Sequence, residues 1–250
     1  MIIFVIALLA VLTFWAFMYL KHPVNTILGI FFMLLLLGAT WLTTLNFHDH
    51  WGMEKVTKIE TKQIYTAGET SSPAGMLLTQ QIGKKSGNYV LVFRDTKDAK
   101  KATAHYAPDT KHIVNAVKKT ATYRYADVTK ATVTTKTTRW AWSNDFAKSL
   151  FGFTGMAGDL VKQSNQVTIP KDTWVAMTPA QAKAMAASQA AANKDPKKAQ
   201  ALAAQQTAMK TTIQKKVMAY AQAHPGKDLT AYTNTVTAEE TAKMIKAMIK

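Results

Sequence analysis

The chain of 250 residues contains no cysteine, which excludes a disulfide framework, a thiolate nucleophile and a cysteine-based zinc site. Arginine is scarce as well, because 28 of the 31 basic residues are lysine. Only Arg94, Arg124 and Arg139 offer the planar guanidinium that suits paired contacts to phosphates and bases. Nucleic acid is therefore not an expected partner, although the net charge is +16.

Charged side chains are missing from two stretches near the N-terminus, residues 2–20 and 27–45. A helix rises about 1.5 Å per residue, so each stretch would cover roughly 28 Å, close to the hydrocarbon thickness of a bilayer. Pro23 lies between them, where the chain must reverse and a helix cannot easily continue. The sequence predicts a two-helix transmembrane hairpin over residues 1–47, followed by a juxtamembrane linker at residues 48–53.

A cleaved signal peptide and a buried hairpin of a soluble protein fit these apolar stretches less well. A signal peptide would have a basic start and a small-residue cleavage site, but Lys21, His22 and Pro23 follow the first stretch. A buried hairpin would be apolar along one stripe, whereas both stretches are apolar on every face. We therefore prefer the transmembrane hairpin.

The charges around the hairpin predict its orientation. Lys21 lies in the short turn and no basic side chain precedes the first stretch, so the positive-inside rule places the turn in the cytoplasm. Lys55, Lys58 and Lys62 oppose this orientation, but long domains translocate largely regardless of charge. We expect a two-span protein of the bacterial cell membrane with an extracytoplasmic C-terminal domain.

Residues 54–177 have the composition of a β-rich domain. Their threonine-rich and aromatic segments are typical of a half-exposed antiparallel sheet. We expect strands at residues 56–65, 76–82, 89–93, 121–128 and 131–142, and a short helix within 105–119.

Residues 178–250 are rich in alanine, glutamine, lysine and methionine, which favour helices. Thr178 and Gln181 have the spacing of a capping box, Asp195 precedes a proline that would open a second helix, and Thr237 with Glu240 predicts the start of a last helix. The expected fold class is α+β: an N-terminal transmembrane helical hairpin, an antiparallel β-rich domain at 54–177 and C-terminal amphipathic helices at 178–250.

Residues that could support chemistry are few. His48 and His50 resemble a metal-binding pair, but no further ligand is near in sequence and a solvated linker accounts for them better. Ser143 lacks the glycines of a nucleophile elbow, and the glycine-rich segment 152–159 lacks the lysine that ends a phosphate-binding loop. We assign no catalytic, cofactor-binding or metal-ligating residue and expect no cofactor.

An enzyme remains the alternative class. It would need a pocket that gathers dispersed polar residues, and convergence of two or more of them in a cleft would favour it. The candidates are His105, Asp109, His112 and Asp127.

Residues 146–160 combine several apolar side chains with flanking Lys148 and Lys162. Such a segment either dips into the lipid headgroup region or fills the space between sheet and helices. We favour the filling role.

The basic excess is spread over the soluble part, with +9 over residues 53–142 and +7 over residues 143–250. A diffuse lysine surface predicts non-specific attraction to polyanions, such as anionic lipid or an anionic wall polymer. Charge that only keeps the protein soluble accounts for the same composition equally well.

Four features of the chain carry a family resemblance: the charge-free hairpin, the Thr-Thr-Lys-Thr-Thr-Arg-Trp run at 134–140, the loop at 150–159 and the segment at 174–178 that leads into the helices. In these features the chain resembles an uncharacterised two-span membrane-protein family of lactic acid bacteria, a domain of unknown function. That family has no assigned activity, so the resemblance implies no site residue. Genes of that family sometimes lie beside genes for efflux transporters, which implies an accessory role beside a membrane transporter.

The sequence thus predicts a membrane-anchored bacterial envelope protein that acts by binding, scaffolding or assisting a transporter through its basic domain. Expected partners are the lipid bilayer, an anionic lipid or wall polymer, and a membrane transporter. The alternative is an envelope-modifying enzyme with an unrecognised active site.

Overall fold

A computed structural model describes residues 1–84, 86–192 and 195–249. The α+β class is confirmed, with two apolar helices first, two sheets next and helices last. The helices are α1 (Ile2–Tyr19), α2 (Val24–Asp49), α3 (Ile113–Ala116), α4 (Asp145–Phe151), α5 (Pro179–Ala192), α6 (Pro196–Ala223) and α7 (Thr230–Met248). The strands are β1 (Met53–Gln63), β2 (Gly75–Gln81), β3 (Tyr89–Phe93), β4 (Thr103–His105), β5 (Lys119–Ala126), β6 (Thr132–Trp142), β7 (Leu160–Pro170) and β8 (Trp174–Met177).

The chain divides into two compact units. The first comprises Met1–Lys58 and Thr137–Gln163, and the second Ile59–Lys136 and Ser164–Lys250. The domain limits expected from the sequence stay a prediction.

In the first unit, α1 and α2 pack as an antiparallel pair. Both are long and apolar enough to span a bilayer. Small residues allow the close approach, because Ala16 and Gly29 are buried and a Cβ on Gly29 would lie 2.5 Å from the Phe17 ring. Most other apolar side chains of the pair face outward, which suits a lipid environment.

The strands form two four-stranded sheets, in the orders β1-β6-β7-β5 and β4-β3-β2-β8. Threonine pairs line β1 and β6: Thr57 and Thr138 are 2.9 Å apart, and Thr61 and Thr134 are 3.1 Å apart. In the other sheet β3 is antiparallel to β2 and β4, whereas β8 is parallel to β2 and aligns Trp174 with Gly75. This second sheet is therefore mixed rather than purely antiparallel.

Two apolar clusters form the core of the second unit. The larger gathers buried residues of both sheets around Leu77, Leu91, Phe93, Val167 and Ile169. The smaller places β8 against α7 through Val175, Met177, Ala242 and Ile245.

Three of the expected helix starts have clear outcomes. The Thr178–Gln181 capping box is confirmed, since each backbone N–H donates to the other's side chain at 2.8 and 3.2 Å. Asp195 also caps α6 by accepting from the Lys197 N–H. The start expected at Thr237 is wrong, because α7 begins at Thr230 and the Thr237 hydroxyl donates to the Thr233 carbonyl inside the helix.

The short helix expected within 105–119 is confirmed as α3, a single turn at Ile113–Ala116, while β4 and β5 occupy the ends of that range. Strands β4, β7 and β8 were not expected from the pattern. β7 is an inner strand, paired with β6 and β5, and its last four residues are buried.

Candidate anion-binding cleft

The four polar residues considered for an enzyme have different partners. His105 lies 3.5 Å from Asp95 and its ring stacks on Phe93 at 3.9 Å between centroids. His112 is hydrogen-bonded to Asp109 at 2.8 Å on the surface.

These pairings explain the shifted pKa values nearby. The hydrogen bond with His112 lowers the pKa of the Asp109 carboxyl. Asp127 accepts from Lys171 at 2.5 Å, and this hydrogen bond raises the pKa of the lysine. The pairs of His112 with Asp109 and of Lys171 with Asp127 are solvent-exposed, and His105 pairs with Asp95 instead. The structure therefore does not gather the four candidate residues into one catalytic pocket.

The histidines after α2 have local roles too. His48 is hydrogen-bonded to Asp49 at 2.8 Å and is exposed. His50 adopts a left-handed backbone conformation that ends α2, and its ring stacks on Trp140 at 4.1 Å. Within the part of the chain that the structure describes, no three metal-ligating side chains come close enough to share an ion.

The most distinctive polar site surrounds Arg94, which follows β3. Its side chain is buried, with 9 % of the residue surface exposed, and Nη1 donates at 2.5 Å to the carbonyls of Thr66 and Gly68. Nε has no hydrogen-bond partner among the described residues, and no described carboxylate forms an ion pair with the guanidinium. A buried guanidinium usually has a negative partner, so Arg94 leaves a positive charge only partly compensated.

Arg94 lines an open cleft of about 670 Å³ at the ends of several strands. We name this site the Arg94 cleft. Its lining comprises residues 63–66, Thr70, residues 72–75, Arg94, residues 97–100, residues 129–131 and Trp174.

The charge of the Arg94 cleft is strongly positive. Lys97, Lys100 and Lys130 join Arg94 in the lining, while Asp98 is the single acidic residue there. None of the three lysines forms an ion pair with a described residue, so their ammonium groups are available to a ligand.

One wall of the cleft depends on a glycine. Trp174 begins β8 and lies opposite Gly75 at the start of β2. A Cβ on Gly75 would lie 2.5 Å from the indole Nε1 and closer to two ring carbons, so only glycine lets the indole pack against this strand. The ring is partly buried against the larger core cluster and contributes an aromatic surface to the cleft.

Hydrogen bonds between side chains and the backbone fix the loop that forms the rim. The Thr66 hydroxyl accepts from the N–H groups of Gly68 and Met76, at 3.1 and 2.9 Å. Arg94 holds the same turn through its two carbonyl contacts. The rim is therefore organised before any ligand arrives, which lowers the entropy cost of binding.

Sequence reasoning missed this site. Arg94 was noted only as one of three arginines, and Trp174 only as part of a lead into helices. The one available signal was an arginine that directly follows the apolar run at 89–93, where a charged side chain is expected to meet the end of a buried strand.

Comparison with known families matches residues 21–185 to a family described as a domain of unknown function (DUF4811). This range is 165 of the 250 residues and includes α2, both sheets and the first half of α5. The Arg94 cleft lies wholly within it. No curated protein and no solved structure matches the chain.

Proposed function

The chain belongs to the family described as a domain of unknown function (DUF4811), and we propose that it is a membrane-anchored module that binds an anionic envelope ligand in the Arg94 cleft. Helices α1 and α2 are the anchor and cross the bacterial cell membrane. The remainder lies on the extracytoplasmic side, where wall polymers and lipid headgroups provide phosphate groups.

The observation that carries this proposal is the buried Arg94, which has no carboxylate partner among the residues that the structure describes. Taking a guanidinium out of water is costly, and two carbonyl dipoles compensate the charge only in part. An anion in the cleft supplies the missing negative charge, and the low dielectric around Arg94 strengthens that attraction.

The lining favours a phosphate attached to a polyol or sugar. Lys97, Lys100 and Lys130 are flexible point charges, which tolerate phosphates at varied spacing along a polymer. The indole of Trp174 offers an apolar face for the C–H groups of the repeat unit, and Thr70 and Ser72 offer hydroxyls. A volume of about 670 Å³ suits a few repeat units rather than a whole chain.

The orientation has a direct test. The chain has no native cysteine, so the variant Lys84→Cys carries a single thiol in an exposed loop. We expect an impermeant maleimide to label it in intact cells. Labelling only after lysis would overturn the extracytoplasmic assignment.

The cleft is tested by two variants of equal charge in the full chain, held in nanodiscs of zwitterionic lipid. The cleft variant replaces Lys97, Lys100 and Lys130 with glutamine, and both variants lower the net charge from +16 to +13. The control variant replaces three exposed lysines of α5 and α6 with glutamine, namely Lys183, Lys210 and Lys215.

The ligands are poly(glycerol phosphate) and, separately, vesicles that contain anionic lipid, which distinguish a wall polymer from a lipid headgroup. We expect the cleft variant to lose roughly tenfold in affinity, while the control variant changes little. Equal losses in both variants would mean that diffuse charge, not the cleft, attracts the polyanion. Absence of binding to both ligands at low salt would contradict the proposal altogether.

A further inference from the structure

We infer that residues 145–154, comprising α4 and the single turn Gly152–Thr154 that follows it, form a third membrane contact lying in the lipid headgroup layer beside the start of α1. We name these residues the α4 segment. The inference rests on the proposed membrane anchor, and its occupant is the bilayer surface.

The first observation is the position of the α4 segment within the first unit. The nitrogen of Met1 donates to the Ser149 carbonyl at 2.7 Å and also to the Leu150 carbonyl. Ile3 and Phe4 line one cavity of about 700 Å³ together with residues of the α4 segment. Since the apolar surface of α1 begins in this first turn, the edge of the hydrocarbon lies at the level of the α4 segment.

The second observation is that one aromatic side chain of the α4 segment is buried and two are exposed. Phe151 is fully buried and meets the Trp51 ring edge-on at 6.2 Å between centroids, and Ala147 is buried beside it. Phe146 and Phe153 instead remain 66 % and 53 % exposed. The segment is thus held firmly by its inner face and presents two phenylalanines outward.

The outward-facing Phe153 extends an apolar surface that already exists on α1. Phe153 lines the same cavity as Phe4, which is 72 % exposed on α1. Phe153 is thus continuous with the lipid-facing side of the hairpin. We therefore infer that the α4 segment contacts the bilayer, because the same lipids that surround α1 reach it.

The polar residues of the segment limit its depth. Asp145 and Lys148 line the same cavity, so their charged groups must stay among the headgroups and water. Exposed phenylalanines beside an acidic and a basic side chain are typical of an interfacial element rather than a third span. The sequence predicts a filling role for this region. Phe151 is buried in that way, whereas the exposed Phe146 and Phe153 contact the membrane.

The test measures depth in the bilayer by fluorescence quenching. Single-cysteine variants of the full chain, Phe146→Cys and Phe153→Cys, carry an environment-sensitive fluorophore in nanodiscs. The lipids bear a nitroxide quencher either near the headgroups or near the bilayer centre. Two reference positions are Leu34→Cys, exposed in the middle of α2, and Thr57→Cys, exposed four residues into β1.

We expect the labels at 146 and 153 to lose more fluorescence with the headgroup quencher than with the central quencher. The label at 34 should show the reverse order, and the label at 57 should lose little with either. Labels at 146 and 153 that behave like the label at 57 would overturn the inference while leaving the anchor intact. A label at 34 that escapes both quenchers would refute the membrane anchor and the inference with it.

Discussion

Replacing Gly75 with alanine tests the packing that builds the cleft wall. The new Cβ would lie 2.5 Å from Trp174 Nε1 and closer to two ring carbons, whereas ordinary contacts begin near 3.4 Å. The indole must therefore move by on the order of 1 Å, because optimal carbon contacts lie at about 3.5–4.0 Å. The Trp174 ring packs against the larger core cluster, so it cannot move without disturbing its neighbours.

Two opposing terms set the size of the effect. Overpacking of this kind costs about 1–3 kcal/mol, while exchanging glycine for alanine restricts the unfolded chain and returns about 0.4–1 kcal/mol. The net loss is roughly 1–2 kcal/mol. For a chain of this size, 1 kcal/mol corresponds to about 2–4 °C in Tm, so we expect Tm to fall by roughly 2–8 °C.

The matched control is Gly152→Ala. Gly152 has a φ of −57°, and the described atom nearest to its new Cβ would be Lys148 Cγ at 3.8 Å. At Gly152 only the restriction of the unfolded chain by alanine affects stability, so Tm should rise by about 1–4 °C. The measurement is thermal unfolding of the full chain followed by tryptophan emission. A Gly75→Ala protein that melts at or above the wild-type temperature would refute the packing argument.

Two further predictions concern other parts of the fold. The hydrogen bond from Lys216 lowers the pKa of Glu240, so its stabilisation is complete above the usual carboxyl pKa and is lost as pH falls through the folded-state value. Tm of the wild type should accordingly fall more steeply below about pH 4 than Tm of Glu240→Gln, and parallel curves would contradict this role. Asn144 accepts from the Ala147 N–H at 2.8 Å and caps α4, so Asn144→Ala should cost about 1 kcal/mol in thermal or denaturant unfolding, whereas Asn144→Asp should keep most of the stability.

Sequence patterns predicted the elements whose formation depends on residues close together in the chain. The two apolar helices follow from the absence of charge over residues 2–20 and 27–45, and the start of α5 follows from the capping geometry of Thr178 and Gln181. The strand at 89–93 was placed correctly because its apolar run is continuous.

The missed elements depend on distant contacts. β7 has mixed polarity, and its Val167 and Ile169 are buried only because β6 and β5 flank the strand and the second sheet covers it. Thr237 has the spacing of a helix start, yet α7 already runs through it from Thr230. A capping motif inside a longer helix cannot be recognised without knowing what lies before it.

The cleft escaped sequence reasoning for the same reason. Gly75 and Trp174 meet only because β8 pairs in parallel with β2, a contact between residues 99 positions apart. Arg94 is a candidate binding residue because it is buried and is bound by the carbonyls of Thr66 and Gly68. Neither feature can be predicted from residue composition or spacing. Loop residues brought together from separate strands leave no periodic pattern.

Fluorine NMR of the full chain labelled with 5-fluorotryptophan shows whether an anionic ligand occupies the Arg94 cleft. The chain has six tryptophans, and of these only Trp174 lines the cleft. Titration with short glycerol phosphate oligomers should move the Trp174 resonance, assigned through Trp174→Phe, in a saturable way and leave the other resonances in place. In the variant with glutamine in place of Lys97, Lys100 and Lys130, the same titration should move the Trp174 resonance far less. A Trp174 resonance that stays fixed while the oligomers bind would contradict the account.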